Sequence, residues 1–353
     1  MAGPADAAAA GVRLAALSGT ASRPAGSDMR DHGPAAAAAA STSSAAGRCP
    51  GSPGVGQAYG TFGELLQGAL PEADGDFLVT MPIARWSTAV FHREPGLPRV
   101  TVWPPHKTKA RTLAGMIIAD RGAGTAGGTL VLRSELPEGK GLASSSADLV
   151  AAARAVSGAL GIELPADRLE DYLRRIEPTD GVLHPGVVAY HHRAVRIRST
   201  LGSLPPVSVV GVDEGGEVDT VEFNRLPKPF SAADRHEYAG LLDRLTAAVR
   251  AGDLAEVGRV STRSAVKNQR LRPKRLLAAV REVSRELGGL GVICAHSGTT
   301  VGVLLDDADP GYADRLARVT AACRRLAGNA TVYPGLTFDL PAPRTSAGGH
   351  CRG

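Results

Sequence analysis

The chain has 353 residues, 43% of them hydrophobic and 21% charged, the balance of a globular protein with room for about two domains. The 40 Lys and Arg against 35 Asp and Glu leave a formal charge of +5, which is too mild for nucleic acid binding without a basic stripe interleaved with aromatics. Cysteines at 49, 294, 323 and 351 are too few for a disulfide framework and form no CxxC pair for zinc, and no apolar run approaches the ~20 residues of a membrane span.

Residues 1–54 are rich in Ala, Gly, Ser and Pro and nearly lack large apolar side chains. Such a segment cannot bury enough surface to offset its ordering entropy, so a disordered tail is expected there. The start has neither a basic n-region nor a compact apolar h-region, so no secretory signal is expected and a reducing cytoplasm is the simplest location. Strands are expected at Phe77–Met81, Trp86–His92 and Val100–Trp103, a helix over 107–119, and a strand at Thr129–Glu135. A loop punctuated by Pro and Gly follows from Leu136 to Ser144. Leu149, Ala152, Ala153 and Val156 then recur at i, i+3, i+4 and i+7, predicting a helix from Ser145 to about Leu160. A second helix is expected over Pro165–Ile176, and strands at Val187–Tyr190, Ala194–Ile197 and Val207–Val212. Helices over 231–250, 253–266 and 274–287 precede strands at Val292–Ala295 and Val301–Leu305. A helix over 310–326 and a strand at Thr331–Tyr333 close the pattern, and a flexible tail follows from 341. The expected layout is α+β in two halves divided near residue 205, where Pro205 and Pro206 stand between the strand sets.

The informative segment is Leu136-Pro137-Glu138-Gly139-Lys140-Gly141-Leu142-Ala143-Ser144-Ser145-Ser146-Ala147, between a strand and a long helix. Glycines let the backbone turn tightly and approach a ligand. Serines at a helix start can cap free N–H groups, and the partial positive charge there favours an anion. Lys140 offers a point charge for a phosphate, and serine hydroxyls offer oxygen ligands to Mg²⁺. On residue types alone, the segment also fits an ordinary Ser-rich helix start. It contains neither a Walker A loop nor a nucleophile elbow.

The pattern Pro-x-x-x-Gly-Leu-x-Ser-Ser-x-Ala formed by Pro137, Gly141, Leu142, Ser144, Ser145 and Ala147 resembles the phosphate loop of the GHMP kinases, the superfamily of galactokinase, homoserine kinase, mevalonate kinase and phosphomevalonate kinase. Gly60-Thr61-Phe62-Gly63-Glu64-Leu65-Leu66-Gln67-Gly68 is similar to the first motif of the L-threonine kinases that serve cobalamin synthesis. So are Met81-Pro82-Ile83 with Trp86-Ser87-Thr88, Ile176-Glu177-Pro178-Thr179-Asp180, Asn268-Gln269 with Pro273-Lys274, and Ala295-His296-Ser297-Gly298-Thr299-Thr300-Val301-Gly302. These blocks fall in order over about residues 55–335.

The resemblance implies a two-domain GHMP kinase fold, with an N-terminal mixed α/β domain over 55–205 and a C-terminal ferredoxin-like α+β domain over 206–340. It implies a phosphotransferase with an alcohol acceptor that uses ATP and Mg²⁺ to convert L-threonine to O-phospho-L-threonine for cobalamin biosynthesis. Another small alcohol such as homoserine, or a non-catalytic nucleotide-binding homologue, is the alternative. ATP is expected on Pro137, Gly139, Lys140, Gly141, Leu142, Ala143, Ser144, Ser145 and Ser146. Phosphoryl transfer needs charge neutralisation and positioning more than covalent chemistry, so Ser145 and Glu177 are assigned to the metal and Asp180 to the substrate hydroxyl, the two carboxylate roles being interchangeable. Gly63, Glu64, Gln67, His296, Ser297 and Gly298 are expected on the substrate side. Arg270 and Arg272 are either readers of a substrate carboxylate or solvated helix-end charges. His184, His191, His192 and His296 have no metal-ligand spacing. The expected partners are ATP and a small-molecule substrate, without nucleic acid or membrane, and a homodimer is left open.

Overall fold

A computed structural model describes residues 52–73, 75–94, 96–120, 127–216 and 228–340. The N-terminal tail lies outside these residues up to position 51, and Gly54, placed in that tail by composition, already opens a strand. The C-terminal tail from 341 lies outside them entirely. In chain order the elements are β1 (Gly54–Ala69), β2 (Asp76–Arg93), β3 (Val100–Trp103), α1 (Thr108–Asp120), β4 (Gly128–Ser134), α2 (Ser144–Leu160), α3 (Ala166–Arg174), β5 (Val187–His191), β6 (Arg196–Gly202) and β7 (Val207–Asp213). They continue with α4 (Ala232–Ala251), α5 (Leu254–Asn268), α6 (Leu277–Glu286), β8 (Gly291–Cys294), β9 (Thr300–Asp306), α7 (Tyr312–Ala327) and β10 (Thr331–Pro334).

The strands form one sheet in the order β10-β7-β9-β8-β1-β2-β4-β3. β2 runs on as a single strand where two were expected. It pairs with β1 along its length, with β4 through Ser87–Arg93 and with β5 through Leu78 and Val79. Pro82 lies within it although proline cannot donate to a ladder. It stands opposite Thr61, beside a register shift in β1, where an irregular ladder tolerates a missing N–H. The two halves of the sheet meet where β1 pairs with β8 at Glu64 and Cys294.

β1 is rich in Gly and was expected only as a motif. Its glycines are required by contact. A Cβ on Gly54 would lie 1.9 Å from the Ala155 carbonyl oxygen, and one on Gly56 would lie 2.2 Å from that of Ala151. Helix α2 therefore rests its alanine face directly on the strand backbone, with Ala151, Ala152 and Ala155 buried. Gly56→Val should lower stability by about 3 kcal/mol, the upper range of overpacking, because the obstacle is backbone and cannot rotate away. The urea midpoint of the purified variant measures it, and an unchanged midpoint would contradict this packing.

In the second half, Val210, Val212, Val292, Val301, Val303 and Leu305 pack with Leu277, Val280, Val319 and Cys323 in a separate core cluster beneath α6 and α7. Helix α4 starts on a capping box, in which Ser231 Oγ accepts from the Asp234 amide at 3.1 Å and Asp234 Oδ2 accepts from the Ser231 amide at 3.0 Å.

Candidate active site

The loop from 139 to 143 alternates in handedness. Gly139, Gly141 and Ala143 have φ of 70°, 83° and 57°, and such alternation turns peptide N–H groups inward into an anion-binding concavity. Ala143 is the residue before α2 and supplies no side-chain cap. The serines that follow do not cap the helix either. Ser145 Oγ donates to Glu177 Oε1. Ser146 Oγ accepts from the Asp180 amide at 3.0 Å and contacts Asp180 Oδ2 at 3.2 Å. Consecutive residues of one helix turn thus engage both carboxylates of the turn that follows α3, where Pro178 ends helical continuation.

These groups line a cavity of about 400 Å³. Its walls hold Gly139, Gly141, Leu142, Ala143, Ser144, Ser145 and Ser146 from the loop and helix start, Glu177 and Asp180 from the turn, Glu64 from β1, and His296 and Ser297 from the loop between β8 and β9. Pro137 and Lys140 are not among the lining residues.

Lys140 corrects an expectation. Its ammonium is held 2.8 Å from Asp213 Oδ2 and 2.7 Å from the Gly216 carbonyl oxygen, so in this structure it is engaged at the end of β7 and not in the cavity. Its own carbonyl accepts from the Thr299 amide at 3.2 Å and from Thr300 Oγ1 at 3.0 Å. A Cβ on Gly298 would fall 2.1 Å from the same carbonyl. The 296–300 loop therefore packs on the backbone of Lys140 and Gly141, and glycine at 298 allows that approach. Lys274 fixes the loop from behind by donating to the Gly298 carbonyl, and burial pushes its ammonium down to about 8.

Of the residues expected on the substrate side, Glu64, His296 and Ser297 reach the cavity. Gly63 and Gln67 stand behind it. The Gly63 amide donates to the Gly141 carbonyl at 3.2 Å, and Gln67 contacts His296 Nδ1 through Oε1 at 2.8 Å. His296 Nε2 lies 3.2 Å from the Lys228 ammonium, which can only donate, so Nδ1 carries the imidazole proton and donates to Gln67. Burial, reinforced by Lys228, holds the His296 pKa well below its usual range. The His192 and His296 rings meet edge to face at 5.1 Å in the cavity wall.

Burial dominates the electrostatics of the two deepest carboxyls. It pushes Asp180 up to about 6, with the Ser146 hydrogen bond opposing and the Glu177 charge adding. Glu64 is raised well above the ordinary carboxylate range by burial and then by Asp180. Its Oε2 finds no hydrogen-bond partner among the described residues. A buried carboxylate oxygen left unmatched is costly unless a cation or a proton meets it.

Sequence reasoning missed two lysines. Lys107 Nζ sits 2.5 Å from both Asp148 Oδ2 and Glu138 Oε1. Lys109 Nζ donates to Glu177 Oε2. Both line the cavity with Asp148 and Glu138. Beside other charged residues at the start of a helix, they read as solvated charges. Arg270 is resolved the other way. Its guanidinium binds Asp234 Oδ2 at 2.8 Å and the Pro229 carbonyl oxygen at 2.8 Å, away from the cavity lining.

Comparison with known proteins agrees with this architecture. The GHMP kinases N terminal domain matches residues 110–188, and the GHMP kinases C terminal domain matches residues 245–322. The chain thus matches both GHMP kinase domains in order, has the two-domain GHMP kinase fold, and is a phosphotransferase with an alcohol acceptor. An L-threonine kinase of Salmonella typhimurium is 27% identical over 262 residues, covering 71% of this chain and 83% of that protein. An L-threonine kinase of Citrobacter freundii is 27% identical over 179 residues, 50% of this chain and 61% of that protein. The crystal structure of homoserine kinase from Cytophaga hutchinsonii superposes with a TM-score of 0.61 at 16% identity, covering 81% of this chain and 95% of that one. Among the described residues, no helix is long and apolar enough to cross a membrane.

Proposed function

We propose that this chain transfers the γ-phosphoryl group of ATP to the side-chain hydroxyl of L-threonine, giving O-phospho-L-threonine and ADP for cobalamin biosynthesis. The observation that carries this reading is the single cavity wall on which Ser145, Glu177 and Asp180 converge with the unmatched carboxyl oxygen of Glu64. The two L-threonine kinase relatives support the same acceptor. The polypeptide would divide near residue 205 into a phosphate-loop domain and a C-terminal domain.

The triphosphate would lie over the concave backbone of 139–143 and the first amides of α2, whose helix dipole favours negative charge. Ser145 and Glu177 supply one hydroxyl and one carboxylate, hard oxygen donors that fit Mg²⁺ held jointly with phosphate oxygens. Among the described residues there is no cluster of three or more His, Cys, Asp or Glu that would hold an ion without the nucleotide. When bound, Mg²⁺ would neutralise charge on the transferring group. Asp180 would accept the hydroxyl proton, in a range set by its pKa of about 6. Glu64 would receive the substrate α-ammonium, which supplies the missing cation to its buried carboxylate.

ADP release measured with L-threonine, L-serine and L-homoserine side by side tests the acceptor. L-Threonine should give the highest kcat/KM, and 3-hydroxybutyrate, which lacks the amine, should turn over at least about tenfold less efficiently, the effect of one hydrogen bond to a charged group. Preference for L-homoserine would instead establish the second reading, which the homoserine kinase fold favours. No turnover with any amino alcohol would point to a non-catalytic nucleotide binder.

A further inference from the structure

Glu177 is the carboxylate that the proposed function gives to the metal, yet both of its oxygens are engaged. Oε1 accepts from Ser145 Oγ and Oε2 accepts from Lys109 Nζ. The two partners differ in kind. Ser145 is fixed in the first turn of α2, beside Glu177 in the cavity wall. Lys109 reaches across from the first turn of α1 on a flexible stem, its side chain 47% exposed while that of Glu177 is only 6% exposed. A buried carboxylate is paired here with a half-exposed ammonium that can leave without disturbing the core. Lys107, two residues earlier, has no such freedom. Its side chain is only 13% exposed, and its ammonium is shared between Asp148 and Glu138.

We propose that Lys109 is a positioning residue that holds the cation place on Glu177 in the nucleotide-free enzyme and competes there with the divalent ion. The ammonium and the ion draw on the charge of one carboxylate, both of whose oxygens are already engaged, so free Mg²⁺ binds poorly. The triphosphate changes the balance in two ways: it brings oxygen ligands that strengthen the ion's hold, and it offers Lys109 an anion of its own. The ion is thereby admitted with nucleotide and largely refused alone. This inference rests on the assignment of Glu177 to the metal but not on the identity of the acceptor.

The test is Mn²⁺ binding to the full-length protein, without nucleotide or acceptor, followed by electron paramagnetic resonance of the free ion. Lys109→Met should tighten Mn²⁺ binding by about tenfold, the strength of one charge-assisted hydrogen bond to a carboxylate. Lys109→Arg, which keeps the cation, should not. Adding Glu177→Gln to Lys109→Met should abolish the gain. Unchanged affinity in Lys109→Met, with a native circular dichroism spectrum, would overturn the proposal. A gain that survives Glu177→Gln would overturn it too, by locating the ion elsewhere. The acceptor panel can fail while the Mn²⁺ result stands, so the two failures are distinguishable.

Discussion

Asp180→Asn should slow turnover by roughly 10²–10⁴, the contribution of a positioned general base, while leaving nucleotide binding and the fold in place. Asn is nearly isosteric and still offers an oxygen to Ser146, whose hydroxyl contacts Asp180 Oδ2 at 3.2 Å. The effect should therefore be on chemistry and not on architecture. The pH profile supplies an independent signature. Burial raises the Asp180 pKa to about 6, and the base works only when ionised, so wild-type kcat/KM should fall as pH drops through about 6 and level off above it. The variant should lose that limb of the profile. Initial rates from pH 5 to 8 measure both. A loss under about tenfold, with the acid limb kept, would mean that Asp180 orients the hydroxyl without taking its proton.

Ser145→Ala is expected to have the next largest effect. The hydroxyl is tied to Glu177 Oε1, so its removal takes one oxygen donor from the proposed metal position and loosens the carboxylate beside it. The Mg²⁺ and ATP concentrations for half-maximal rate should rise by at least about tenfold, the range for a hydrogen bond to a charged group. Stability should change little, because Ser145 is solvent-exposed at the cavity edge while the buried face of α2 is carried by its alanines, Leu149, Val150 and Val156. A grid of Mg²⁺ and ATP concentrations separates the requirement from the maximal rate. Equal rates for both proteins at limiting and saturating Mg·ATP would remove Ser145 from that position.

Much of this was legible in the sequence because helices and strands with apolar periodicity announce themselves. Helix α2 was expected from Ser145 and begins at Ser144, and β7, β9 and β10 fall within a residue or so of their expected ends. β1 was not legible as a strand. Its glycines argue against extended structure unless something must approach closely, and that something is α2, about a hundred residues further along the chain. The candidate residues Ser145, Glu177 and Asp180 were legible as a motif set, and the structure brings them together at one cavity. Lys109 was not, because its partner lies 68 residues away and nothing in a lone helix-start lysine reveals that a distant carboxylate needs it. Lys140 erred in the opposite direction. Its place between two glycines suggested a phosphate, whereas Asp213 at the end of β7 competes for the same ammonium.

The contacts made by the Lys140 carbonyl reach beyond catalysis. Thr300, 160 residues downstream, supplies the hydroxyl that fastens it alongside the Thr299 amide. A nascent chain therefore exposes the cradle sequence long before the segment that secures it has been translated. The proposed nucleotide site is completed among the last events of biogenesis, and a polypeptide interrupted anywhere before the 296–300 loop lacks a finished one, however well its first sheet has condensed.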